Sequence, residues 1–294
     1  MSATAPVVRA RLVAAEILKI RTTRAWWLFI GGFALASALA VAFGWGMNNN
    51  VLHPTVADYP AGAGRNAVLA QAASARTVPG AAALAASMMT SGQFLLVLIT
   101  LMLGVHVATS EYHARTVTST FLVEPRRSRV MLAKVIVCAL FGTAFWAIAT
   151  VLDGVTTPFF LAAEHLPPSA FSSSVVVRAA LMGLPAHVLW ALFGLGLGAV
   201  LRNQVVAVVA AIVVYAGGDV AVELITRLLY GAFHAPWLLS LAVLAPAQAS
   251  SVMITAGKAF QDAPSWWAGG LVLAGYGAVL AVLGAALVSR SDVA

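Results

Sequence analysis

The sequence predicts an all-α integral membrane protein with six transmembrane helices, and three observations lead there. Charged residues make up 9% of the 294-residue chain and hydrophobic residues 61%, whereas an ordinary soluble domain is roughly 25% charged. Six apolar runs reach the length of about 20 residues that a spanning helix needs. The basic residues then fall on alternate connections, the asymmetry expected of a multi-pass chain. No long polar stretch interrupts these runs, so residues 1–294 read as one membrane domain.

The first span is expected over 26–46, opened by the aromatic pair Trp26 and Trp27 as interfacial anchors. The second is expected over 90–110 and the third over 134–152, with Asp153 marking its outer end. The fourth is placed at 179–201, the fifth close behind it at 204–222, and the sixth at 266–288, again opened by two tryptophans, Trp266 and Trp267. The 47–89 connection is rich in Ala and Gly, with Pro54, Pro60 and Pro79, and is expected to cap the outer side. Within 223–265, the stretch Trp237 to Ile254 contains Pro246, Gln248 and several serines and ends before Gly257-Lys258. It reads as a re-entrant or interfacial element, because irregular backbone at membrane depth needs protein or a cavity around it. A seventh span is the rival reading, but it would leave the C-terminus outside.

Charge sets the orientation. The N-terminal segment carries Arg9, Arg11, Lys19, Arg21 and Arg24, and the 111–133 loop with its edge carries Arg115, Arg126, Arg127, Arg129 and Lys134. With Arg202 and Arg290, one side holds 12 of the 17 basic residues but only four of the ten acids. Both termini and the 111–133 loop are therefore expected in the cytoplasm. The net charge of +7 is accounted for by topology and does not call for a nucleic-acid partner. Residues 7–25 follow Pro6, a residue suited to a first helical turn, and place Val13, Ile17 and Ile20 on one row. A helix lying in the cytoplasmic interface of the membrane lipid fits this segment.

Little in the chain suggests chemistry of its own. The lone cysteine, Cys138, sits in an apolar run and can form neither a disulfide nor a cysteine metal site. No metal site is expected. A phosphate-binding loop G-x-x-x-x-G-K-[ST] is absent, since the one Gly-Lys pair, Gly257-Lys258, is followed by Ala259. Ionisable groups at membrane depth are the functional candidates. Asp219, Glu223 and Arg227 recur every four residues and share a face, either as a polar pathway lining or as a self-paired helix end. His106 and His187 lie inside spans and are expected to bond neighbouring helices. Gly194-x-Gly196-x-Gly198 suits close helix packing, within the subunit or across a dimer. Phe94, Met102, Phe141, Phe145, Trp146 and Phe193 are candidates to line an apolar cavity, ordinary packing being the alternative.

The 110–129 loop is the most informative stretch. Pro125 disfavours helix at Glu124, and the preceding residues can form a short helix with Val117, Phe121 and Leu122 on one face. Such an apolar knob suits a partner's groove or a seat against the membrane. The Ser110-Glu111-Tyr112 start, the Thr-rich middle and the Pro125-Arg126-Arg127-Ser128-Arg129 turn leading to Lys134 together resemble the loop of ABC-2 type transporter permeases. The N-terminal Glu16-Ile17-Leu18-Lys19-Ile20-Arg21 is similar to that family's approach to the first span.

The resemblance implies that Glu111 closes the second span and that Thr116 to Val123 form a coupling helix in the cleft of an ATP-binding subunit. Thr116, Val117, Thr120, Phe121 and Leu122 would be its contact residues, flanked by Arg126, Arg127 and Arg129. It further implies two copies of the ATPase, which would bind ATP and Mg, a second permease subunit, identical or homologous, and a bacterial cytoplasmic membrane. The implied function is export of amphipathic drugs, natural products or lipids, with no enzyme activity in this chain. Many members carry Gly-Thr where this chain has Arg115-Thr116, a departure at the turn into the helix. Two other readings stand beside it: an ATP-independent proton-coupled carrier or intramembrane enzyme using Asp219 and Glu223, and an immunity or sensor-type permease.

Overall fold

A computed structural model of the chain describes residues 5–55, 62–255 and 263–290, without the side chains of 5–9, 63, 119, 121, 285 and 287–290. Every regular element among the described residues is helical. Six helices are long and apolar enough to cross a membrane: Ala25–Leu52, Val78–His113, Arg127–Ala163, Ser174–Leu201, Gln204–Phe233 and Trp266–Gly284. The chain is a multi-pass membrane protein, as its composition dictates.

In chain order, α1 is Ala5–Thr22, α2 Ala25–Leu52, α3 Ala63–Ala75, α4 Val78–Met88, α5 Gln93–His113, α6 Val117–Val123 and α7 Arg127–Ala163. These are followed by α8 (Ser174–Leu201), α9 (Gln204–Ile212), α10 (Gly218–Phe233), α11 (Trp237–Ser240), α12 (Pro246–Ile254) and α13 (Trp266–Arg290). A π-helical turn, Val213–Gly217, joins α9 to α10.

The chain divides into two compact units: 33–96 with 146–184, and the remainder. In the first, the small face of α4 (Ala81, Ala82, Ala85, Met88) packs with Leu52, Phe160, Leu161 and Val176. Trp45 meets Phe160 edge-on at 5.3 Å, and Trp146 donates its indole N–H to the Ala180 carbonyl at 2.7 Å. His53 and Glu164 close one end at 2.7 Å.

In the second unit α5 and α8 cross almost backbone to backbone. A Cβ on Gly104 would stand 2.1 Å from the Ala191 carbonyl, and one on Gly194 would stand 2.1 Å from that of Leu101. Only glycine admits that approach, which gains close van der Waals contact where lipid supplies no hydrophobic drive. Gly196 faces the other way, onto Leu280 of α13. The glycine spacing in the fourth span therefore serves packing within the subunit. Trp190 anchors the core beside it, edge-on to Phe193 and Tyr215.

Several expected boundaries are corrected. The 47–89 connection is mostly helical: α2 runs on to Leu52, and α3 and α4 follow, while 56–61, which include Pro60, lie outside the described residues. Asp153 does not end the third span. It is 6% exposed, and α7 continues to Ala163 through Pro158. Proline removes one helical N–H and leaves the Gly154 carbonyl without its helical donor, yet the helix continues; the hydroxyls of Thr156 and Thr157 bond back to the Leu152 and Asp153 carbonyls at 2.9 and 2.6 Å. The third span also starts earlier, at Arg127, so Lys134 lies within the helix. The fifth helix runs on past residue 222 to Phe233, so Asp219 and Glu223 stand well inside it. The stretch Trp237 to Ile254 forms two short helical segments meeting at 103°, a broken or re-entrant geometry and not a straight seventh span. Gly257 and Lys258 lie outside the described residues.

Candidate functional site: a ring of two lysines and two glutamates

The 110–129 stretch holds a short helix. Helix α6 begins after Thr116 and ends at Glu124, whose extended backbone (φ −129°, ψ 95°) precedes Pro125. Glu124 is then used twice, accepting from the Arg126 backbone N–H at 3.2 Å and approaching Arg129 at 3.5 Å. The turn from α5 into α6 places Arg115 at φ 55°. The Thr116 N–H reaches the Glu111 carbonyl and that of Arg115 the Tyr112 carbonyl. This paired closure normally favours glycine at the left-handed position. The departure from Gly-Thr to Arg115-Thr116 thus falls where the backbone asks for glycine.

Beneath α6 lies a cluster that sequence reasoning had only partly assembled. Glu16 of α1 accepts from Lys19 at 2.6 Å through Oε1 and from Lys134 at 2.7 Å through Oε2. Glu111 of α5 accepts from Lys19 and Thr120 through Oε1 and from Lys134 through Oε2 at 3.1 Å. Lys134 also donates to the Val107 carbonyl at 3.2 Å, so all three ammonium protons have acceptors. The result is a closed ring of alternating charge that pins α1, α5 and α7 together. Helix α6 joins it through the Thr120 hydroxyl, 3.0 Å from Glu111.

Burial makes this ring expensive to break. Glu16, Glu111 and Lys134 are each 6% exposed, and removing one partner of a buried ion pair strands the other in an apolar medium. Lys19 is more open, at 40% of its side chain. Its partial burial would lower its pKa, but the Glu111 and Glu16 carboxylates outweigh this and hold it above the usual 10.5. A cleft of about 220 Å³ opens beside it, with Thr22, Thr23, His106, Ser110 and Thr116 on its walls. His106 faces Gln204 at 3.4 Å.

On α6 itself Leu122 is 77% and Val123 87% exposed. Val117 is half-buried, and the Phe121 side chain lies outside the described residues. Arg126 is exposed, while Arg127 and Arg129 are partly covered at the start of α7.

The sequence matches no family model, and no curated protein matches it.

The remaining candidates separate. Glu223 pairs with Arg227 at 2.6 Å on an open face, whereas Asp219 is partly buried and its Oδ1 has no hydrogen-bond partner among the described residues. The six proposed cavity residues do not share one surface character. Phe145 and Phe193 are 1% and 3% exposed, packed as core and not as the wall of an open cavity. Phe94 is 57% exposed, and Met102, Phe141 and Trp146 are partly buried. Among the described residues no group of three or more His, Cys, Asp and Glu is placed to hold a metal. Reading the sequence missed Glu16, Lys19 and Lys134 as a site. The available signal was acids and lysines at the very edges of apolar runs, where each was counted toward orientation or family resemblance and none as a partner of the others.

Proposed function

We propose that the chain is the transmembrane permease subunit of an ATP-driven exporter in a bacterial cytoplasmic membrane. A separate ATP-binding subunit would dock on α6 and hold ATP and Mg, one copy for each of two permease chains. The observation that carries this reading is the pairing of opposite faces on one seven-residue helix. Leu122 and Val123 stand exposed on α6, while Thr120 is bonded into the charge ring. Exposed apolar side chains on a short polar connection suit a partner's groove. A rigid ionic floor beneath them suits transmission of force into α1, α5 and α7 rather than its loss in a flexible loop. ATP binding in the partner would bias the permease between inward- and outward-open states, which requires that α6 contact the partner differently in the two. Amphipathic drugs, natural products or lipids are the proposed cargo, on the strength of the resemblance in residues 110–134.

The test is to co-purify the chain with the ATPase encoded beside it and substitute Phe121→Asp and Leu122→Asp. Both substitutions should abolish ATPase association or substrate-stimulated hydrolysis while the chain itself remains folded. Full stimulated hydrolysis and transport in both variants would overturn the docking assignment.

A further inference from the structure

The cleft beside the ring carries a chemistry that neither the ring nor the docking helix uses. It measures about 220 Å³ and lies within one compact unit, where the last turns of α1 and α5 come together. A water takes roughly 30 Å³ of the liquid, so a group several times that size fits. Its floor is the ring, in which Glu16 and Glu111 are already matched by Lys19 and Lys134.

Two donors on its walls remain unspent. Lys19 gives ammonium protons to Glu16 and Glu111, and its third proton has no acceptor among the described residues. The Ser110 hydroxyl, half-buried on the facing helix, makes no hydrogen bond among the described residues. Thr22 and Thr23 differ from it. Their hydroxyls donate to the Leu18 and Ile20 carbonyls at 2.9 and 2.8 Å, which leaves their oxygens as acceptors.

The rim adds charge that the ring does not cancel. Arg21, Arg24 and Arg115 each adjoin a cleft-lining residue in sequence, and all three are exposed. None is in an ion pair among the described residues. The ends of α1 and α5 turn carbonyls toward the same region, but each helix end is worth about half a negative charge. Three guanidinium groups outweigh the two ends, and the mouth of the cleft is positive.

Just beyond the rim the surface turns apolar. Helix α2 starts at Ala25, Trp26 and Trp27 stack at 3.9 Å, and Trp27 and Leu28 are 64% and 75% exposed. Tryptophans at the start of a span mark the headgroup level of a bilayer. A free phosphate makes no use of that apolar flank, whereas acyl chains cover it.

We propose that the cleft is the headgroup site of an anionic phospholipid. The phosphodiester accepts from Lys19 and Ser110, the first of these a charge-assisted bond. The rim arginines favour a lipid of net negative charge over a zwitterionic one, and its chains lie along Trp27 and Leu28. Hydroxyls of a polyol headgroup donate to Thr22 and Thr23. The site uses no ATPase and stands or falls apart from the docking assignment on α6.

The test uses the full chain purified in a neutral detergent, with native mass spectrometry to count bound lipid. The probes are phosphatidylglycerol and phosphatidylcholine with identical chains. The first phosphatidylglycerol should bind about tenfold tighter than phosphatidylcholine. The joint variant Arg21→Gln, Arg24→Gln, Arg115→Gln should lose that preference. The joint variant Arg11→Gln, Arg126→Gln, Arg227→Gln removes equal charge from exposed positions that do not adjoin the cleft, and should keep it. Ser110→Leu fills the cleft, retains every charge and should lose the preference while the chain stays monodisperse. Water-soluble glycerophosphoglycerol, which lacks the chains, should bind on the order of a hundredfold more weakly than the lipid. Equal binding of the two lipids, or equal losses in the two arginine variants, would reduce the effect to diffuse charge and overturn the proposal. Full phosphatidylglycerol binding by monodisperse Ser110→Leu would also overturn it. So would a soluble headgroup that binds as tightly as the lipid, which would make the ligand a free phosphate ester.

Discussion

The two polar sites of this compact unit solve the same problem in opposite ways. At the ring, two buried carboxylates meet two ammonium groups and a hydroxyl, and each acid oxygen has at least one donor. At Asp219 one carboxylate oxygen, Oδ1, is sealed and has no hydrogen-bond partner among the described residues. Matched charge in an apolar setting makes a joint: four helices are tied at one place and the net charge is zero. An unmatched carboxylate is left with an oxygen that no described donor satisfies. Hydropathy treats the two alike, as charged residues near or within apolar runs, and only the partners tell them apart.

Breaking the match should have the largest effect. Lys134→Met leaves Glu16 and Glu111 sharing only the half-exposed Lys19, and loss of one partner from a buried pair typically costs about 3–5 kcal/mol. The purified chain in detergent should show a markedly lower thermal midpoint, read by loss of the monodisperse peak after heating. Adding Glu111→Gln to the same chain restores neutrality and should recover a good part of the loss. A double variant no better than the single one would mean that the ring does not act as a coupled unit.

A graded effect is expected from pH at Lys19. Its pKa in the folded chain lies above the ordinary 10.5, so its contribution is complete below about 10.5 and is lost as pH rises through the higher folded value. Solvent reaches this side chain, so the contribution is smaller than that of Lys134. A spin label at Leu18→Cys, with Cys138→Ala, should report α1 immobilised at neutral pH and loosened only in strong alkali. Lys19→Met should show the loosened spectrum already at neutral pH. Loosening of the parent label as pH falls toward neutrality would contradict the sign.

How much of this was legible beforehand depended on whether the signal was local. Six apolar helices follow from run length, and α6 follows from Pro125 and the Thr-rich stretch before it. Helix ends were less legible. The third span was expected to end at 152, yet α7 runs on through Pro158 to Ala163. Asp153 looked like a boundary and is a buried residue inside the helix. Pairing was the least legible property. Glu16 and Lys134 are separated by 118 positions, and nothing in a single sequence relates them. The partial burial of Asp219 was hidden for a similar reason. Spacing stacks it with Glu223 and Arg227, and only the folded chain shows its Oδ1 sealed while those two pair on an open face.

The smallest effect should come from the pair that resembles the ring in chemistry but not in burial. Arg227 and Glu223 are 2.6 Å apart in the favourable order, yet their side chains are 72% and 46% exposed. An open i, i+4 pair is worth roughly 0.3–0.5 kcal/mol, and screening reduces that further. Arg227→Gln should therefore leave the thermal midpoint within measurement error. A loss comparable to that of Lys134→Met would mean that Arg227 neutralises charge at membrane depth. Asp219 would then belong to a three-residue network, and the contrast between a matched site and an unmatched one would have to be redrawn around that network.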